Sequence, residues 1–129
     1  MTGRVIALDH GAARCGVAVS DPTRTLATPL EPVLRPDTRK GLARVRAAIE
    51  ASEAVLVLVG LPLALHGGDS DQTRAARAFA QRLAETVAVP VELRDERFTT
   101  RIANRAGGAA SEDSRAAAVL LTDFLQTAR

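Results

Sequence analysis

Residues Ala54-Val55-Leu56-Val57-Leu58-Val59 form an unbroken apolar run with no polar side chain at alternate positions. A strand of this kind is covered on both faces, which places it inside a sheet with helices above and below. The flanking sequence supplies those helices. Asp37 or Thr38 offers a cap for a helix to about Ser52, with Leu42, Val45 and Ile49 on one face. Gly60-Leu61-Pro62-Leu63 ends the strand, and a polar loop through His66, Gly67, Gly68 and Asp69 leads to a second helix capped by Ser70 or Asp71. On that helix Ala76, Phe79, Ala80, Leu83 and Val87 share a face, and Arg74, Arg77 and Arg82 lie mostly off it. Pro90 stops it, and Val91-Glu92-Leu93-Arg94 reads as a last short strand running into Asp95 to Thr100. Strands separated by helices of this length predict an α/β domain whose later strands are parallel to the first.

The chain opens with a hairpin pattern. Arg4 to Leu8 and Cys15 to Val19 are its arms, with Gly11 and Gly16 letting the backbone bend or pass close to a neighbour. Asp9 falls where the first arm ends. That position suits a turn aspartate bonding its own backbone, and it equally suits a carboxylate held out at a site. Thr25 to Leu34 adds a third strand, which Pro29 and Pro32 push to an edge or shorten.

At the other end, a helix-like segment runs from about Thr100 to Ala106, and the small residues from Gly107 to Ser111 read as a mobile loop. In the final helix Asp113, Ala116, Ala117, Leu120, Leu121 and Phe124 follow helical spacing and form a single face. Asp113 heads this apolar stripe. The helix dipole accounts for an acid near the amino terminus, whereas a carboxylate on the sheet-facing side needs a partner or a cation.

Composition narrows the function classes. The chain's 129 residues are read as one domain, 1–129, long enough for a core without disulfides or structural metal. No apolar stretch approaches a membrane span, and Met1 to Arg4 leads directly into a strand pattern without the features of a signal peptide, so the expected location is cytoplasmic. Cys15, the one cysteine, reads as a small core residue. Net charge is +2, which is no broad basic field, and Lys40 is the only lysine among otherwise arginine cations. With no Trp or Tyr, a nucleic-acid partner would be gripped by its backbone rather than by stacked bases.

The strand order brings the acids together. Asp9 ends the first strand, Asp95 and Glu96 end the last, and open α/β sheets place their sites outside those ends. Asp113 could join them if the closing helix crosses the sheet. Clustered carboxylates repel one another unless they share protons or hold a hard divalent cation, and all-oxygen ligands favour Mg²⁺ or Mn²⁺. A pair of such ions can activate water and stabilise both the attacking and leaving oxygens at a phosphodiester.

Five blocks carry a specific resemblance: Ala7-Leu8-Asp9-x-Gly11, Arg14-x-Gly16-Val17-Ala18-Val19-Ser20-Asp21, Val59-Gly60-Leu61-Pro62-Leu63, Asp95-Glu96-Arg97-Phe98-Thr99-Thr100 and Asp113-x-x-Ala116-Ala117-x-x-Leu120-Leu121. In this order they resemble the signature of the YqgF (RuvX) family of pre-16S rRNA nucleases and Holliday-junction resolvase homologues. The resemblance implies an RNase H-like fold, a mixed five-stranded sheet flanked by helices. It assigns Asp9, Glu96 and Asp113 to an acidic triad holding Mg²⁺ or Mn²⁺. Asp95, which on a strand points opposite to Glu96, ranks lower. The chain departs from the family pattern at Ala12, Ala13, Ala64 and His66 and before Asp113, which shifts phosphate contact to Arg14, Arg97, Arg101 and Arg115.

The expected function is metal-dependent hydrolysis near the 5′ end of precursor 16S rRNA. The alternative is resolution of branched DNA, for which a homodimer would place two sites on opposed strands. A non-catalytic RNA-binding assembly factor is the third reading. Actin-like ATPases share the Asp-x-Gly hairpin but need two such domains closing over nucleotide, and this chain has room for one.

Overall fold

The computed structural model describes residues 3–62, 70–95 and 112–127, and the side chains of all of these except Glu112 and Asp113. The expected helix-like segment from Thr100 and the loop from Gly107 therefore lie outside the described residues, as do Leu63 to Asp69. In chain order the elements are β1 (Val5–Asp9), β2 (Arg14–Ser20), β3 (Ala27–Leu34), α1 (Arg39–Ser52), β4 (Leu56–Leu61), α2 (Asp71–Thr86), β5 (Val91–Asp95) and α3 (Glu112–Thr127).

The strands form one mixed sheet in the order β3-β2-β1-β4-β5. The first three strands are a meander of antiparallel pairs, and β4 and β5 run parallel to β1. Pro29 and Pro32 lie on β3, an edge strand, where a missing N–H can face away from the ladder. The apolar run shifts by two residues from its expected place: β4 begins at Leu56 and continues through Gly60 and Leu61. Val55 is 45% exposed and instead donates its N–H to the Arg4 carbonyl at 2.8 Å, closing the turn into the strand.

Alternation along β1 and β4 builds two cores. Ile6, Leu8, Val57 and Val59 meet Val45 and Ile49 of α1 and Phe79 and Leu83 of α2. On the other face, Val5, Ala7 and Leu58 meet Ala117, Leu120, Leu121 and Leu125 of α3. Every side chain of β1 from Val5 to Leu8 is buried, which is why the sequence there lacks polar alternation. Thr38 caps α1 by accepting from the Gly41 N–H at 3.0 Å, and Ser70 caps α2 by accepting from the Thr73 N–H at 3.2 Å. Thr73 also donates its hydroxyl to the Pro62 carbonyl at 2.6 Å, fastening the first turn of α2 to the end of β4. No described helix is long and apolar enough to cross a membrane.

The turn from β2 to β3 is organised by Asp21. Its carboxylate accepts from the Thr23 hydroxyl, from the backbone N–H groups of Leu26 and Thr25, each at 2.8 Å, and from the Thr25 hydroxyl at 3.0 Å. These donors favour the ionised form, the Thr23 hydroxyl most strongly and then the Leu26 N–H, and hold the carboxyl well below the usual carboxylate range. A lowered folded-state value contributes stability that is fully present above the ordinary carboxylate pKa of about 4 and is lost as pH falls toward the folded value. Asp21→Asn should therefore show a smaller drop in urea midpoint between pH 5 and pH 3 than the wild type; an equal drop would contradict this role. Leu120→Ala, at a fully buried position, should destabilise by about 2–5 kcal/mol. Leu26→Ser, at a position 66% exposed, should stay within about 0.5 kcal/mol in the same denaturation measurement.

Candidate functional site

Asp9 is the last residue of β1, at its carboxyl end. Strand alternation assigns it to the side of Val5 and Ala7, the side covered by α3, and the residue is half-buried. Across the hairpin it pairs with Gly16, so no side chain stands beside it from β2. Asp9 thus closes the row of the α3-facing core.

What brings α3 to this point is a serine. The register of β2 on β3 shifts between Cys15 and Val17: Cys15 pairs with Val33, but Val17 pairs with Leu30. Two steps on β2 thus face three on β3, a bulge that contains Pro32. The hydroxyl of Ser114 fills the gap, accepting from the Val17 N–H at 3.3 Å and donating to the Leu30 carbonyl at 2.6 Å. Ser114 is 1% exposed, so both groups would otherwise be buried polar atoms. Val17 is one residue along β2 from Gly16, the partner of Asp9. Asp113, one residue before Ser114, is thereby carried in the first turn of α3 to the Asp9 end of the sheet. The other end of α3 is tied to β5: Arg94 donates to Asp123 at 2.8 Å and to the Thr127 hydroxyl at 2.8 Å, and its guanidinium lies 5.4 Å from the Phe124 ring centroid. The helix therefore crosses the sheet from β3 and β2 to β5.

His10 points the opposite way. Its side chain is 3% exposed, with the ring 4.7 Å from that of Phe79, and Nε2 donates to both Asp37 oxygens at 3.0 and 2.9 Å. Asp37 also accepts from Arg82 at 2.6 Å. The end of β1 is thus clamped on one side to the residue before the α1 cap and to α2, while the other side carries Asp9.

Of the expected triad, Asp9 is described in full and Asp113 by its backbone; Glu96 lies outside the described residues, with Arg97 and Arg101. Asp95 ends β5 opposite Leu61, is exposed, and shares the side of Val91 and Leu93 rather than that of Arg94. Arg14 is exposed at the start of β2, and Arg115 is half-buried beside Ser114. Both are near the Asp9 end of the sheet. Among the described residues no three His, Cys, Asp or Glu side chains are grouped to hold a metal. The one member of the expected triad whose side chain is described, Asp9, offers carboxylate oxygens, the donor type that hard ions take.

The sequence reading missed Ser114 and His10. Ser114 stands in the first turn of an otherwise apolar helical face and His10 has the parity of Ile6 and Leu8, but neither position marks its distant partner.

Comparison with known proteins decides the family. The RuvX family model, described as Holliday junction resolvase, matches residues 3–127. The chain belongs to the RuvX family. A relative from Koribacter versatilis is 48% identical over 103 residues, covering 80% of this chain and 67% of the relative. One from Streptomyces avermitilis is 42% identical over 137 residues, covering 98% of this chain and 88% of its own. Both bear the name "Putative pre-16S rRNA nuclease". Among solved structures, Thermus thermophilus RuvC in complex with a Holliday junction substrate aligns with a TM-score of 0.62 at 17% identity, covering 98% of this chain and 95% of that one. The yeast mitochondrial Holliday junction resolvase Ydc2 aligns at 0.55 and 10% identity, over 97% of this chain and 78% of that one. At such identities the likeness is one of fold, and it establishes the RNase H-like architecture expected from the sequence.

In this RuvX-family chain, Ser114→Ala should leave the Val17 N–H and the Leu30 carbonyl without their shared partner. The expected destabilisation is about 1–3 kcal/mol by urea unfolding, since two buried groups lose a hydrogen bond. A change under about 0.5 kcal/mol would show that the bridge is not what fixes α3.

Proposed function

We propose that this RuvX-family protein is a metal-dependent nuclease that hydrolyses phosphodiester bonds of precursor 16S rRNA near the 5′ end. The observation that carries the reading is the Ser114 bridge, which sets the first turn of α3 over the strand end bearing Asp9. The family membership and the names of relatives matched over nearly the whole chain support the substrate class.

In this reading Asp9, Glu96 and Asp113 hold Mg²⁺ or Mn²⁺. Glu96 is included on the resemblance of the Asp95-Glu96-Arg97-Phe98-Thr99-Thr100 block. The ions supply positive charge against the phosphoryl oxygens and favour the deprotonation of water. The chain's own groups do the rest. The carboxylates orient the water for in-line attack at phosphorus, and the half-buried setting of Asp9 limits competing solvent. Arg14 and Arg115 would hold the phosphates on either side of the scissile bond, with Arg97 and Arg101 as further candidates. Processing of ribosomal RNA would place this work in the bacterial cytoplasm.

A second reading is favoured by the description of the family model: the same carboxylates would cut branched DNA, acting as a homodimer with two sites on opposed strands. The two readings separate in one assay, with precursor rRNA fragments, linear DNA and four-way junctions incubated with Mg²⁺, Mn²⁺ or chelator. Preferential cutting of the rRNA fragment is expected. Asp9→Asn should lower the rate by about a hundredfold or more, because losing a metal carboxylate removes roughly 3 kcal/mol of transition-state stabilisation. Cleavage that survives chelation, or equal cleavage by Asp9→Asn, would contradict the assignment.

A further inference from the structure

A second surface, apart from the carboxylates and Ser114, borders the loop after Asp9. Leu34, Arg35, Thr38, Arg39, Lys40, Gly41 and Arg44 line a concave surface of about 440 Å³ where β3 turns into α1. Its four cations are exposed, and none has an acidic partner among the described residues. The one acid within this stretch, Asp37, is committed to His10 and Arg82. A chain whose overall charge is only +2 has here segregated four like charges on one surface.

The surface is built rather than accidental. A Cβ on Gly41 would lie 1.8 Å from the Arg35 carbonyl oxygen, so only glycine allows the turn at Arg35 and Pro36 to lie directly on the first turn of the helix. Arg35 has a φ of +47°, and its carbonyl accepts from both the Thr38 N–H at 3.1 Å and the Thr38 hydroxyl at 2.8 Å. Its own N–H donates to the Ala13 carbonyl at 2.9 Å, and Leu34 pairs with Arg14. The basic surface is therefore continuous with the loop that follows Asp9 and with Arg14. Its charges also sit where they oppose folding: Arg39 and Lys40 occupy the first turn of α1, which has no acidic residue, at the positive end of the helix dipole. Like charges gathered against the dipole, without counter-ions from the protein, call for a polyanion from outside.

We propose that Arg35, Arg39, Lys40 and Arg44 form a phosphate-binding track for the RNA strand, extending the grip on substrate from the Asp9 end of the sheet across the start of α1. The inference rests on the nuclease reading for the identity of its ligand. The track contacts backbone phosphates and carries no base specificity, in keeping with a surface without aromatic side chains. It also places the missing cations that Ala12 and Ala13 do not supply.

The test is equilibrium binding of a labelled single-stranded RNA oligonucleotide to the full chain with chelator present, which prevents metal-dependent cleavage, across a range of salt concentrations. Each phosphate contact contributes about 0.7 to the slope of log affinity against log salt for a single strand, so Arg39→Gln/Lys40→Gln/Arg44→Gln should reduce the slope by about 2 and weaken binding by up to about a hundredfold at 0.1 M salt. The variant should melt at or above the wild-type temperature, because two of the charges removed oppose the helix dipole. Arg74→Gln, on α2, should change neither slope nor affinity appreciably. An unchanged slope in the triple variant, or a loss no greater than that of Arg74→Gln, would overturn the track. Wild-type protein that binds RNA with the expected slope yet cuts nothing when Mg²⁺ or Mn²⁺ is supplied would instead overturn the nuclease reading and leave the track standing.

Discussion

The hydroxyl of Ser114 bridges the Val17 N–H and the Leu30 carbonyl, and the position of the closing helix depends on it. The bulge around Pro32 leaves a donor on β2 and an acceptor on β3 facing a gap in the ladder. Filled by water, that gap would fix nothing. Filled by a side chain from the first turn of α3, it sets both the register and the direction of that helix, and the burial of Leu120 and Leu121 then follows from where the helix starts. The consequence for function is positional: the residue before Ser114 is Asp113, and the strand residue beside Val17 is the partner of Asp9.

The two faces of the sheet divide the work at the end of β1. His10 goes to the side of α1 and α2, where its ring is buried against Phe79 and bonded to Asp37, which Arg82 also holds. Asp9 goes to the side of α3. A strand end held on one face by packing and charge gives the carboxylate on the other a fixed position. The same network engages Asp37, which leaves the basic surface beside it without an internal counter-charge.

Much of the architecture is legible from periodicity. Each cap is one of the two residues expected, Thr38 rather than Asp37 and Ser70 rather than Asp71, the edge position of β3 follows from its prolines, and parallel pairing of β4 and β5 with β1 follows from the helices between them. The apolar stripe of the last helix is buried as its spacing requires. What periodicity could not reveal was long-range hydrogen bonding. Ser114 lies 84 residues from Leu30 and 97 from Val17, and no local pattern marks a hydroxyl that will bridge a bulge. His10 was hidden for a similar reason, since its partners come from α2 and the turn between β3 and α1. Asp9 was legible as an acid at a strand end, but its candidacy as a site residue rests on the ordered family blocks and on the helix that the serine places above it. Glu96, Arg97 and Arg101 lie outside the described residues and stand on the resemblance alone.

The central claim is that Asp9 and Asp113 share one divalent ion at the carboxyl end of β1. A crystal structure of the full chain soaked in Mn²⁺, with data collected at the manganese edge, tests it most directly. The account predicts an anomalous peak touching the carboxylates of both Asp9 and Asp113 that disappears in Asp9→Asn. A peak held by other residues, or one that persists unchanged in Asp9→Asn, would contradict it.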